Sequence, residues 1–288
     1  MAPCALHDRA VGRLGFTTSL GFPKKLERII RDPSVALAYH TREHSGIANP
    51  RFVLAQGTAT VDLTPAPARL DALKPDAERF LGPTRHGIVW DRLLREYYTE
   101  RVFVDVDVAR IVAWPDLGAA GTPVVLGEPV PSAPDGQAPP RDGTGPRVDV
   151  GRAAGALTAL PHRPLGWRGA DGFPVVAPVQ PAGHGPDGLH LVAAPGVLPP
   201  GARRAGLLAH AFRPQLVGLS TRTFTGWLQV ADDGTAVYAP HTSKGFRAPP
   251  AKRLLLVSNG LLAKYGMRQA RRHGLLEHLR SLQQEGSG

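Results

Sequence analysis

The sequence predicts a mainly β protein with some α, built as two small barrels in tandem. Three observations point there. Glycine (33) and proline (29) together exceed a fifth of the 288 residues, which disfavours a helix bundle and fits short strands joined by turns. Hydrophobic residues make up 42% and charged residues 20%, enough apolar material for a packed core. Finally, both halves of the chain repeat one outline, short strands interrupted by one crossing helix.

The first half spans 1–115. Gly15–Ser19 reads as a short strand. Phe22–Arg31 follows as a helix, with Pro23 at its first turn and the apolar stripe Leu26, Ile29 and Ile30; Asp32-Pro33 stops it. Ser34–Thr41 and Arg51–Asp62 are strands around a polar loop, and 67–82 and 86–98 read as helices. Arg101–Trp114 alternates strictly, with Val102, Val104, Val106 and Val108 turned inward.

Residues 116–149 read as a flexible linker, since 116–146 holds 13 Gly or Pro in 31 positions. The second half, 150–288, opens with two strands around the Ala-Asp-Gly turn of Leu165–Val179. Strands at Leu189–Ala193, Leu207–Phe212, Arg222–Val230 and Thr235–Pro240 follow, with a helical turn at Pro199–Ala205. From Gly260 the chain reads as helical and basic.

Charge and composition exclude several classes. The formal net charge is +10, yet residues 244–280 alone hold nine Lys or Arg against the single acid Glu277. The excess is therefore local. No aromatic-rich RNA-binding or helix-turn-helix pattern accompanies it, so no dedicated nucleic-acid binding is expected. One cysteine, Cys4, leaves no disulfide framework and no multi-cysteine metal site. No apolar run is long enough for a membrane span and the start is not a secretory signal, so no membrane and a cytoplasmic setting are expected. No glycine-rich dinucleotide fingerprint, P-loop or G-x-S-x-G elbow is present.

The chemistry concentrates in Phe16–Pro33, FTTSLGFPKKLERIIRDP. Thr17, Thr18 and Ser19 bring hydroxyls to a strand end, and Lys24 and Lys25 enter the first turn of the next helix. A helix N-terminus already carries positive partial charge, so lysines there are unfavourable by a few tenths of a kcal/mol each (about 0.3 or more) unless an anion sits among them. A phosphate is the natural candidate; lysines pointing into solvent are the alternative.

Other candidates weigh less. His40 and His44 sit on a strand end and loop, where an i, i+4 spacing does not converge on a metal. His273, Glu277 and His278 fit a solvated helix, and no metal site is expected. Asp105 and Asp107 share a strand face, the ordinary pattern of a polar outer side. Trp90, Tyr97 and Tyr98 suit a core or interface. Trp167, Trp227 and His241 lie where a planar cofactor could pack.

The ordered set Thr18, Ser19, Lys24, Lys25 and Asp32-Pro33, followed by Arg51, Val53, Gln56 and Gly57 and by a strand ending in Trp114, resembles the pyridoxamine 5′-phosphate oxidase-like, split β-barrel flavin-binding superfamily. The resemblance implies two tandem split β-barrels forming an intramolecular pseudo-dimer, with a phosphorylated redox cofactor between them. The cofactor would be FMN or a deazaflavin, with haem less expected. Thr18, Ser19 and Lys25 would hold the phosphate with help from Lys24, and Gln56 would lie near the ring or its side chain. The implied function is a cytoplasmic oxidoreductase moving a hydride to or from a small organic substrate, the chain acting as a monomer. A non-catalytic flavin or haem carrier, or a binding protein that has lost the cofactor, are the alternatives.

One departure stands out. Members of the family begin with a hairpin and carry a further basic phosphate ligand on one of its strands, and too few residues precede Gly15 to form that hairpin. Gly15–Ser19 is therefore expected to be an unpaired edge, unless the native chain begins upstream of Met1 or another segment pairs with it.

Overall fold

Two curled antiparallel sheets follow one another along the chain. The computed structural model describes residues 6–8, 12–21, 23–41, 43, 47–64 and 66–285. The first sheet contains β1 (Leu6–Asp8), β2 (Arg13–Ser19), β3 (Ser34–Tyr39), β4 (Val53–Asp62), β5 (Arg101–Ala113) and β6 (Val124–Gly127). Its strands run in the order β1-β2-β5-β4-β3, with β6 beside the far end of β5. The second contains β7 (Pro164–Arg168), β8 (Pro174–Pro178), β9 (Gln180–Gly185), β10 (Gly188–Val192), β11 (Gly201–Ala211), β12 (Ser220–Val230) and β13 (Ala236–Arg247). Its order is β9-β10-β13-β12-β11-β7-β8.

The first five strands of both paths correspond one to one, and the second sheet adds the β7–β8 hairpin. A shared bulge supports the match. The β4–β5 register shifts at Gln56/Gly57 and the β12–β13 register at Thr225/Gly226. A Cβ on Gly57 would lie 2.1 Å from the Asp107 carbonyl oxygen, and one on Gly226 2.2 Å from that of Ala239. Only glycine permits the strands to close over the bulge.

This topology covers one end of the expected edge, at Gly15, and leaves Phe16–Ser19 paired with β5 alone among the described residues. β2 pairs along its whole length with β5, and Arg13–Gly15 pairs with β1 on the other side. The hairpin absent from the first half has its counterpart beyond β11, the equivalent of β3, and not beside β2. The second half's own β8 packs near β3 and β4 instead.

Three further differences arise because pairing overrides local preference. Residues 199–205 are not a helical turn; they run into β11, because Ala205, Leu207 and Ala209 alternate into the core. β9 and the helix α4 (Val150–Thr158) were not legible: β9 carries no alternation, and α4 is short and rich in glycine. The segment 116–149 is docked, not loose. Ala119 is buried, the Gln137 amide donates to the Ala202 carbonyl (2.7 Å), and the Arg147 amide donates to that of Pro240 (2.9 Å).

Helices α1 (Pro23–Arg31), α2 (Pro67–Leu81) and α3 (Ile88–Thr99) lie close to the expected positions. The C-terminal helices α5 (Lys252–Arg272) and α6 (Leu275–Glu285) return to the first half. Leu275 and Leu279 complete its core with Phe16, Leu26, Val102, Val104 and Val106.

The sheets meet along a seam. Phe52, Leu54 and Ala119 pack there, with Val175, Val176 and Val197 of the second half alongside. Arg110, 3% exposed, donates to Gln56 Oε1 (2.6 Å), to the Pro129 carbonyl (2.7 Å) and to the Asp171 carboxylate across the seam. Gln56 Nε2 in turn donates to the Pro174 carbonyl (2.7 Å). Removing one partner of a buried ion pair strands the other. Here Asp171 is itself partly exposed and Arg110 keeps two other acceptors, so Asp171→Ala is expected to cost about 1–3 kcal/mol in urea unfolding.

Further along the seam, His40 Nε2 and His210 Nε2 lie 3.2 Å apart, and His162 Nε2 lies 3.1 Å from a Glu43 oxygen. The His–His contact requires one neutral ring. Burial, then the neighbouring His40 and His162, depress the His210 pKa to about 3. An unfolded histidine titrates near 6.5, so the unfolded chain binds more protons in between. Stability is thus expected to be complete above roughly pH 6.5 and to fall as pH drops from there, by up to about 1.4 kcal/mol per pH unit. Unfolding measured across pH should show this slope in the wild type and a shallower one in His210→Gln.

Candidate functional site

A cavity of about 870 Å³ opens at the end of β2. Its walls come from β2, from α2 and α3, from the loop between those helices, and from α5. Most of the wall is apolar, with Leu70, Leu73, Leu81, Leu256 and Ala263 contributing, and Tyr97 and Tyr98 add aromatic surface. Five cationic side chains line it, Lys25, Lys74, Arg85, Arg95 and Arg101, against the carboxylates Asp71, Glu78 and Asp91.

One end is built by β2, α1 and the start of β5. Thr17, Thr18 and Ser19 are buried and line it. The pairing of β2 with β5 sets Arg101 opposite Ser19. Arg101 donates to Thr17 Oγ1 (2.8 Å) and to the carbonyls of Thr17 (3.1 Å) and Tyr97 (3.4 Å). Lys25 reaches the same end, its ammonium 4.5 Å from the centre of the Phe16 ring. Among the described residues neither Lys25 nor Arg101 has a carboxylate partner. Desolvation, then the Arg101 guanidinium, lower the Lys25 pKa, and burial lowers that of Arg101. Two cations held together without a counter-charge favour an anion between them.

Two of the three carboxylates are engaged by backbone amides. Glu78 Oε1 accepts from the Thr84 amide (2.9 Å), and Asp91 Oδ2 from the Gly87 amide (3.1 Å). Arg85 stands beside Lys252, whose pKa is lowered by burial and then by Arg85.

Of the residues singled out in the sequence, Thr18, Ser19 and Lys25 therefore come together. Lys24 and Lys25 are both exposed in part, but only Lys25 lines the cavity. Gln56 is buried in the seam, both ends of its amide engaged by Arg110 and the Pro174 carbonyl. Asp105 and Asp107 pair with Arg69 and Arg13, as a polar outer face does. Trp167 and Trp227 are buried in the second half, and His241 lies 3.4 Å from the Thr144 carbonyl. His278 faces Glu27 at 3.8 Å, and His44 lies outside the described residues.

Arg101 was not legible as a site residue, because only the strand register brings it to Ser19. The wall formed by α5 gave no sequence signal either. Among the described residues no group of three or more His, Cys, Asp or Glu is placed to hold a metal ion. Compared with protein-family models and with curated proteins, the chain has no match.

The position of α5 rests on two close backbone approaches. A Cβ on Gly266 would lie 2.9 Å from Gly21 Cα, and one on Gly260 2.7 Å from the Leu93 carbonyl oxygen. In an open helix, glycine to alanine stabilises by up to about 1 kcal/mol. Here Gly266→Ala is expected to do the opposite, destabilising by about 1–3 kcal/mol as overpacking does; the thermal melting midpoint reads the sign.

Proposed function

We propose that the cavity binds the phosphate of a flavin or deazaflavin cofactor, and that the chain moves a hydride between that cofactor and a small organic substrate. The observation that carries this reading is the end of the cavity where Thr18, Ser19, Lys25 and Arg101 converge with no carboxylate partner on either cation. The residues fit such a group. Hydroxyls and two cations match a phosphate, and the volume lies in the ordinary range for cofactor sites.

Arg101 supplies a strand-borne cation that the sequence appeared to lack. Its bonds to Thr17 and Tyr97 hold the guanidinium in one orientation, so little ordering remains when an anion arrives. Leu70, Leu73 and Leu256 offer an apolar wall against which an uncharged ring would lie. Tyr97 and Tyr98 offer flat surface beside it. When bound, the cofactor supplies the hydride chemistry, while the protein contributes position and electrostatics. No catalytic side chain is therefore required, and none was assigned from the sequence.

The test is a fluorescence titration with FMN and with riboflavin, which lacks the phosphate. The wild type is expected to bind FMN more tightly. Lys25→Glu should lose about 1.5–3 kcal/mol of FMN affinity, roughly 10- to 150-fold, and the preference over riboflavin with it. Lys24→Glu should behave as the wild type. Equal FMN affinity in wild type and Lys25→Glu rules the phosphate site out, and a bound chromophore that never turns over indicates a carrier.

A further inference from the structure

Helices α3 and α5 lie side by side and run in the same direction, since Leu93 meets Gly260 and Glu100 pairs with Arg271 eleven residues further along α5. Their outer faces are unusual. Ile88 is 92% exposed and Val89 74%, at the start of α3. On α5, Leu254, Leu261 and Tyr265 are each more than half exposed. With Arg268 and Arg272 they form one stripe, at helical spacings of seven, four, three and four residues. The exposed charges on the two helices are Arg92, Arg95, Arg253, Arg268, Arg271 and Arg272, against the single exposed carboxylate Asp91.

We propose that this surface docks on an anionic lipid bilayer, with α5 lying in the plane of the headgroups. An interfacial helix needs apolar side chains that enter the acyl boundary and cations that meet lipid phosphates, and both are present on one face. Arginine suits the second task, because its planar fork donates two hydrogen bonds to one phosphate. Electrostatics disfavour a second copy of the chain, which would set Arg268 and Arg272 against their own like charges with no exposed carboxylate on the stripe to answer them. A nucleic acid would accept the arginines and leave Ile88, Leu254 and Leu261 in water. The helix lies on the bilayer and does not enter it: among the described residues no helix is long and apolar enough to cross a membrane.

The docking surface is independent of the cofactor reading, and its test needs no cofactor. The full chain is sedimented with vesicles of phosphatidylcholine, alone or with about a third phosphatidylglycerol. Binding is expected on the anionic vesicles only, and to weaken at high salt. Arg268→Gln with Arg272→Gln should weaken it by roughly fivefold per arginine removed. Leu261→Gln with Tyr265→Gln should weaken it at least as much while leaving the melting midpoint unchanged, because both side chains face solvent. Equal binding to neutral and anionic vesicles overturns the proposal, as does wild-type binding by the Leu261/Tyr265 variant. A dimer in light scattering that this variant dissolves, or capture of a labelled RNA, overturns it too if neither vesicle is bound.

Discussion

A guanidinium with almost no access to water organises the relation between the two sheets. Arg110 stands on β5 next to the bulge at Gln56/Gly57, and its donors are satisfied from three directions. Gln56 comes from its own sheet, the Pro129 carbonyl from the connecting segment and Asp171 from the turn of the β7–β8 hairpin. A buried charge tolerates few arrangements, because an unpaired donor there is far costlier than a lost apolar contact. The group therefore fixes register as much as it supplies energy. The bulge turns Arg110 into the seam, and Gly57 is what lets the strands close over that bulge.

The connection then continues past the second sheet and returns. Having completed β13, the chain sends α5 and α6 back to the first half, where Leu275 and Leu279 finish a core that β2, β4 and β5 leave open. One consequence is stability, since two distant parts of the chain share one core. The other is the cavity. Without α5, the end of β2 and the face of α2 would be open groove; with Leu256 and Ala263 in place they enclose a space that keeps cations partly desolvated. Charges in such a space act more strongly on a ligand than the same charges on an open surface.

The two halves share strand order and bulge position but not the cationic end. The equivalent of β2 in the second sheet is β10, which ends in His190, Leu191 and Val192 where β2 ends in Thr17, Thr18 and Ser19, and the Ala193–Pro200 that follows holds no lysine. The space is used differently there: α4 packs on β9, β10 and β13 and fills the second core with Ala153 and Leu157. Among the described residues the cationic end thus belongs to the first half, and the chain beyond the linker contributes the seam and the returning helices.

By itself the sequence determined the class, two tandem β-rich halves, because alternation and turn residues act locally and need no partner to be recognised. It also determined that Thr18, Ser19 and Lys25 belong together, since they lie within eight positions on one strand end and the helix that follows. What depends on pairing was decided only by the tertiary structure. Register brought Arg101 to Ser19, and the bulge took Gln56 into the seam rather than the cavity. Strand β11 formed in a stretch of Ala, Arg and Leu that favours helix, because β12 pairs with it throughout and the inward residues bury. The return of α5 rests on glycines that in isolation weaken a helix, and acquire their meaning only where another backbone comes within contact distance.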